Sequence, residues 1–227
     1  MSLAEVVSLN IGKPEQVPFQ NKDIPTGINK KPAAKPLFLS WVNFEGDGQA
    51  DLVHHGGRDK AVCVYAYEHY PFWEKELGRT LEYGAFGENL TIRGLLEADV
   101  CIGDIFQLGD AVVQVSQPRQ PCFKLSVKYG VPDLPVKVQE TGYTGFYFRV
   151  LQEGTVSASS SLKRLTPHPQ GITVSYANQI MHHEKQNEAG IRSILAVDAL
   201  SASWQAAFLK RLQGIETDTR ERLNGFG

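Results

Sequence analysis

The 227-residue chain is 42% hydrophobic and 21% charged, the proportions of an ordinary globular protein. Its formal net charge of −2 gives no electrostatic case for a nucleic-acid partner, and no apolar run approaches the roughly 20 residues of a membrane span. Met1-Ser2-Leu3-Ala4-Glu5 lacks the regions of a secretion signal, and Cys63, Cys101 and Cys122 are spaced neither as a disulfide framework nor as a zinc site, so a reducing cytoplasm is the expected setting.

Residues up to about 165 read mostly as strands and turns. Val6–Ile11 opens the chain and Gly12-Lys13-Pro14 closes that run. Further strands are expected at Leu37–Val42, Ala61–Ala66, Asn89–Ile92, Asp104–Leu108, Val112–Ser116, Gly145–Val150 and Thr155–Val156, with turns at Gly103-Asp104 and Gly109-Asp110. Many short strands with regular turns predict a mainly β fold, a closed or nearly closed β-barrel. Helices interrupt it at Tyr67–Leu77, after Cys122 as far as Tyr129, and at Val136–Thr141. The barrel domain is expected to span 1–166, with a linker over 167–171 and a small three-helix domain over 172–227. In that tail Ala177, Ile180 and Met181 share one face, Ile191, Ile194 and Leu195 another, and Trp204, Phe208 and Leu212 a third. Ser201 is the expected N-cap of the last helix and Gly214 its stop. Three such helices bury little apolar area alone, so they dock on the barrel or on another chain. The last dozen residues are polar and are expected to fray.

Cys122 is the most informative residue. Pro121 suits the first position of the helix that follows and Gly130 its end, which places the sulfur in a first turn where unpaired N–H groups favour a thiolate. Arg119 and Lys124 add positive charge. Such a thiolate attacks electrophiles or ligates a soft metal, and the plain alternative is a buried, inert cysteine. Cys63 and Cys101 fall in strands or at their edges and are read as packing residues.

Two other runs carry chemistry. Gly46 through Val62 packs His54, His55, Gly56, Gly57, Arg58 and Lys60 into one loop, suited to an anion through backbone N–H groups and charge. It is neither a Walker A loop nor a Rossmann fingerprint. Consecutive histidines diverge on an extended chain, which weakens a shared metal. His182-His183 lies in a predicted helix and reads as a solvated or partner-facing surface. The other run, Gly84 through Ile92, is a turn entering a strand, or else Glu88 or Asn89 presents hydrogen-bonding groups at a barrel mouth.

Together and in this order, Gly46–Val62, Gly87-Glu88-Asn89-Leu90 and Gln117–Leu125 resemble the MOSC family, named after the C-terminal domain of molybdenum-cofactor sulfurase. The tail from Ala177-Asn178-x-x-Met181-His182 is similar to the three-helix domain of the bacterial stand-alone type associated with hydroxylaminopurine resistance. The resemblance implies a barrel holding a molybdenum cofactor (molybdopterin), with Cys122 as its metal ligand. It implies reduction of N-hydroxylated small molecules, such as hydroxylamines and N-hydroxylated base analogues, to amines. At the level of the family it also carries an association with pyridoxal phosphate. The chain shows no flavin, nicotinamide or iron–sulfur signature, which points to a flavoprotein or other external electron donor. His54 and His55 are the chemically suited proton donors. Arg58, Asp59 and Lys60 of the loop, Asn89, and Arg119 and Gln120 are assigned to cofactor binding. Two other classes stay open: a carrier of molybdenum cofactor or sulfur without turnover, and a cofactor-free cysteine enzyme pairing Cys122 with a histidine. The helical tail is read as serving donor docking or contact in a homodimer.

Overall fold

The computed structural model describes residues 3–50 and 56–225. Seven strands close a barrel. In the order in which they meet they are β1 (Leu3–Ile11), β7 (Leu90–Arg93), β6 (Val62–Ala66), β10 (Phe146–Gln152), β9 (Ala111–Pro118), β8 (Ile105–Leu108) and β12 (Ser161–Thr166), which returns to pair with β1. Only β6 and β7 run parallel, joined through a helical crossover; the other pairs are antiparallel. The short β4 (Lys31–Pro32) adds to the end of β1. The side-chain period of two turns one set of residues inward, including Val62, Val64, Phe106, Val113, Val115, Phe146 and Phe148, and these form the barrel core. Each large side chain so buried stabilises the fold by roughly 1.5–3 kcal/mol.

Two small ribbons lie outside the barrel: β5 (Leu37–Leu39) with β11 (Gly154–Val156), and the hairpin of β2 (Glu15–Phe19) and β3 (Lys22–Thr26). The hairpin carries Pro18 and Pro25, and its side chains are mostly exposed. Proline is tolerated there because a two-stranded ribbon consists of edges.

A second core sits on the outer face of the barrel. Helices α1 (Tyr70–Leu77), α2 (Lys124–Tyr129) and α3 (Leu134–Thr141) pack Trp73, Leu125 and Val138 against Tyr65 and Phe86, whose rings stack at 4.3 Å. Gly130 ends α2 in a left-handed cap, as the sequence predicts.

A third core is formed by α4 (Val174–His182), α5 (Glu188–Leu195) and α6 (Ala202–Leu212), with Ile180, Ile191, Ile194, Trp204 and Phe208 packed together and onto Ile102 of the barrel side. The side chains of Thr173, Asn187 and Ser201 cap these helices by accepting from Tyr176, Gly190 and Trp204 N–H. The helices dock on the barrel: Ser201 N–H donates to Ser116 O at 3.0 Å, and Asn178 Nδ2 to Thr144 Oγ1 at 2.8 Å. The polar end of the chain does not simply fray. It forms α7 (Arg220–Asn224), which returns to the Cys122 turn. No helix among the described residues is long and apolar enough to cross a membrane.

Candidate functional site

A cleft opens on the outer side of the barrel wall. Its floor follows from strand parity. Val62 and Val64 point into the barrel, so Cys63 between them points out, and Tyr147 does the same between Phe146 and Phe148. Cys63 and Tyr147 are direct partners across β6 and β10. Cys122 lies on the same cleft and is buried, 7% exposed. The sequence reading of Cys63 as a packing residue is therefore too narrow: it faces the site.

Arg119 organises the cleft. It leaves the end of β9, where its N–H donates to Gly145 O at 3.0 Å, and it is 6% exposed. Its Nη2 donates to Phe86 O at 2.7 Å, while Nη1 is buried without a hydrogen-bond partner among the described residues. Burial pulls the guanidinium pKa down, but the acidic groups around it leave it above its ordinary value overall, so Arg119 stays charged at neutral pH. Burial lifts the Cys63 thiol to about 11, only partly opposed by Arg119, and it also lifts the Tyr147 hydroxyl above its ordinary value. Both groups are protonated at neutral pH.

Lysines line the rim: Lys30, Lys60 and Lys124. Lys30 pairs with the buried Asp47, which also accepts from Gly12 N–H at 2.9 Å and from Asn89 Nδ2 at 2.8 Å. Asn89 lines the cleft, but its amide also works as a brace, its Oδ1 accepting from Cys63 N–H at 3.0 Å. Glu88 beside it is fully buried, its carboxylate taken up by Tyr70, Thr91, Phe86 N–H and Gly84 N–H instead of opening at a barrel mouth.

The structure distributes the remaining predicted residues unevenly. Lys60 joins Cys122, Arg119 and Asn89 at the cleft. Arg58 is exposed and stacks over Trp41 at 4.7 Å. Asp59 pairs with Arg149 at 2.7 Å and accepts from Ala202 N–H at 3.2 Å, tying the barrel to α6. Gln120 is half-buried beside Arg119 and does not line the cleft. His54 and His55 lie outside the described residues. Cys122 stands on the turn entering α2, its carbonyl accepting from Leu125 N–H at 3.0 Å, and the helix starts at Lys124, three residues beyond Pro121. Tyr147, Lys30 and Asp47 received no role from the sequence, although alternation along Phe146-Tyr147-Phe148 carried the signal for Tyr147. Among the described residues no cluster of three or more His, Cys, Asp or Glu side chains could hold a metal ion.

The comparisons agree with this architecture. Residues 51–163 match the MOSC domain, and residues 172–214 match the YiiM-like, 3-alpha helix domain. An uncharacterized protein of Bacillus subtilis, YflK, is 58% identical over 91% of this chain and 93% of its own length. A protein of Gibberella moniliformis named a reductase is 37% identical over 65% of this chain but only 27% of its own length. The crystal structure of YiiM from Geobacillus stearothermophilus superposes with a TM-score of 0.79 at 42% identity, over 92% of this chain and 99% of that one. The pyridoxal phosphate association draws no support from these matches. With its MOSC barrel, its cysteine cleft and its trailing helices, the chain belongs to the MOSC-domain family, in the YiiM and YflK group that carries a C-terminal three-helix domain.

Proposed function

We propose that the protein is a molybdenum-cofactor-dependent reductase of N-hydroxylated compounds, fed by a separate electron donor. The observation that carries this reading is the buried Arg119 guanidinium, with Nη1 unpartnered, on the same cleft as Cys122. A buried donor left without an acceptor is costly unless a ligand satisfies it, and an oxyanion such as the pterin phosphate does so. The donor set fits the cofactor: the Cys122 thiol for the metal, a guanidinium and two further cations, Lys60 and Lys124, for an anionic group, and Asn89 beside them. When bound, the cofactor supplies the two-electron chemistry that turns an N–OH group into an amine and water.

The chain's own residues bind, orient and supply protons. Cys122 holds the metal, and Arg119, braced by Phe86 and Gly145 carbonyls, fixes the orientation of the anionic part. Tyr147 and Cys63 keep their protons at neutral pH at the cleft floor. His54 and His55 remain the proposed proton donors from the loop. The reductase name of the fungal relative supports the reaction class. Electrons come from a flavoprotein or comparable donor.

The test is molybdenum and pterin content, with turnover of an N-hydroxylated substrate and a flavoprotein donor, for the native protein and Cys122→Ser. We expect the native protein to hold cofactor and to reduce substrate, and the variant to fold but to do neither. Full turnover by Cys122→Ser overturns the assignment. Loaded native protein that stays inactive yet passes cofactor to an acceptor enzyme would establish the carrier instead.

A further inference from the structure

The two peptide groups that flank Cys122 both end on one residue of α7. The Pro121 carbonyl accepts from Arg222 Nη1, and Phe123 N–H donates to the Arg222 carbonyl at 2.7 Å. Arg222 Nη2 is itself anchored on Gln139 Oε1 at 2.8 Å, so α3 fixes the guanidinium that fixes the turn. Inside the turn, the Cys122 carbonyl accepts from Leu125 N–H at 3.0 Å. Both peptide planes around the Cys122 Cα are thereby held, and with them the direction of the Cα–Cβ bond that carries the sulfur.

The contact extends beyond Arg222. The Phe19 ring of the β2–β3 hairpin and the Phe123 ring lie 5.4 Å apart, and Gly225 closes over them. A Cβ on Gly225 would come within 2.9 Å of Phe19 and 3.2 Å of Phe123, at a φ of +81° that already favours glycine. The C-terminal segment thus reaches the cysteine turn by side chain, by backbone and by close packing. It lies beyond residue 214, where the matched helical domain ends.

We propose that Arg222 is a positioning residue for Cys122, acting through the peptide groups on either side of it. The working role of Cys122 rests on the reading above, whereas its placement by Arg222 does not. Removing the guanidinium frees the Pro121 carbonyl and loosens α7, and the buried turn then opens more often. Loss of a charge-assisted hydrogen bond raises such an opening equilibrium by about tenfold.

The experiment uses the full chain, expressed without cofactor synthesis, as native protein, Arg222→Ala and Arg222→Lys. Iodoacetamide modification of Cys122 and Cys101 is followed by peptide mass, with hydrogen exchange over 122–125 in parallel. For Arg222→Ala we expect Cys122 to react about tenfold faster and the Phe123 amide to lose protection, with Cys101 unchanged. Arg222→Lys should fall between, since an ammonium reaches one acceptor where the guanidinium reaches two. An unchanged Cys122 rate overturns the proposal, and so does an equal acceleration of Cys101, which would mark general loosening. If Arg222→Ala does not fold, Gln139→Ala and Arg222→Lys are judged by the same two outcomes. Neither readout needs the cofactor, so failure of the reductase reading leaves this result standing.

Discussion

Replacing Glu88 tests how the cleft wall is built. Its carboxylate is fully buried and accepts four hydrogen bonds: from Tyr70 Oη at 2.5 Å, Thr91 Oγ1 at 2.8 Å, Phe86 N–H at 2.9 Å and Gly84 N–H at 3.1 Å. Burial first, and then the Glu88 charge, push the Tyr70 pKa far up, so that hydroxyl stays a donor. Glu88→Ala strands four donors in a dry site. Each unsatisfied donor costs about 1–3 kcal/mol, and partial relaxation leaves a net loss of about 4 kcal/mol. For a chain of this size, about 2–4 °C of melting temperature is lost per kcal/mol, which predicts a fall of about 8–16 °C. Glu88→Gln keeps one acceptor oxygen but turns an amide donor toward other donors, and about half that loss is expected. The assay is thermal unfolding by circular dichroism, with urea unfolding as a check. A Glu88→Ala protein melting within about 3 °C of the native one refutes the reasoning that these four donors depend on this carboxylate.

The strands that close the barrel were legible because one face of each is apolar and turn residues separate them, as at Gly103-Asp104 and Gly109-Asp110. The β2–β3 hairpin was not, because its two prolines and polar residues argue against a strand unless the ribbon lacks neighbours on both sides. At the site, Cys122, Arg119, Lys60 and Asn89 were found by motif and do line one cleft. Cys63 was lost because a buried strand reads as uniformly apolar. All five residues of β6 are buried, and only its absence from the barrel core that holds Val62 and Val64 reveals that Cys63 faces elsewhere. Glu88 shows the converse problem. A charged residue after a glycine suggests a surface, and nothing local tells that Tyr70, Thr91 and two N–H groups converge on it from 2 to 18 residues away. The α7 contact was invisible because of distance along the chain: Arg222 meets Pro121 across 101 residues of sequence.

Other outcomes follow from single residues. Gly145 has φ +72°, and a Cβ there would lie 2.2 Å from Val64 O; its carbonyl also receives Arg119 N–H. Gly145→Ala should cost at least about 3 kcal/mol in urea unfolding, and a variant of native stability would show that this approach is not close. Ser201→Ala removes a buried cap that accepts from Trp204 N–H, and about 1 kcal/mol should be lost. His182 makes a pH-dependent prediction. Burial first, then the positive charges of Arg222, His183, Arg211 and Lys185, lower its pKa from 6.5 to about 3. The unfolded chain therefore binds a proton at this site between those values while the folded one does not. Its contribution is fully present above about pH 6.5 and is lost as the pH falls toward about 3. Between pH 7 and pH 5 the loss is at most about 2 kcal/mol, lessened by whatever solvent reaches the ring. Urea midpoints for native protein and His182→Gln at both pH values measure it. The native protein should lose more stability than the variant over that interval, and parallel losses would mean that the imidazole titrates alike in both states.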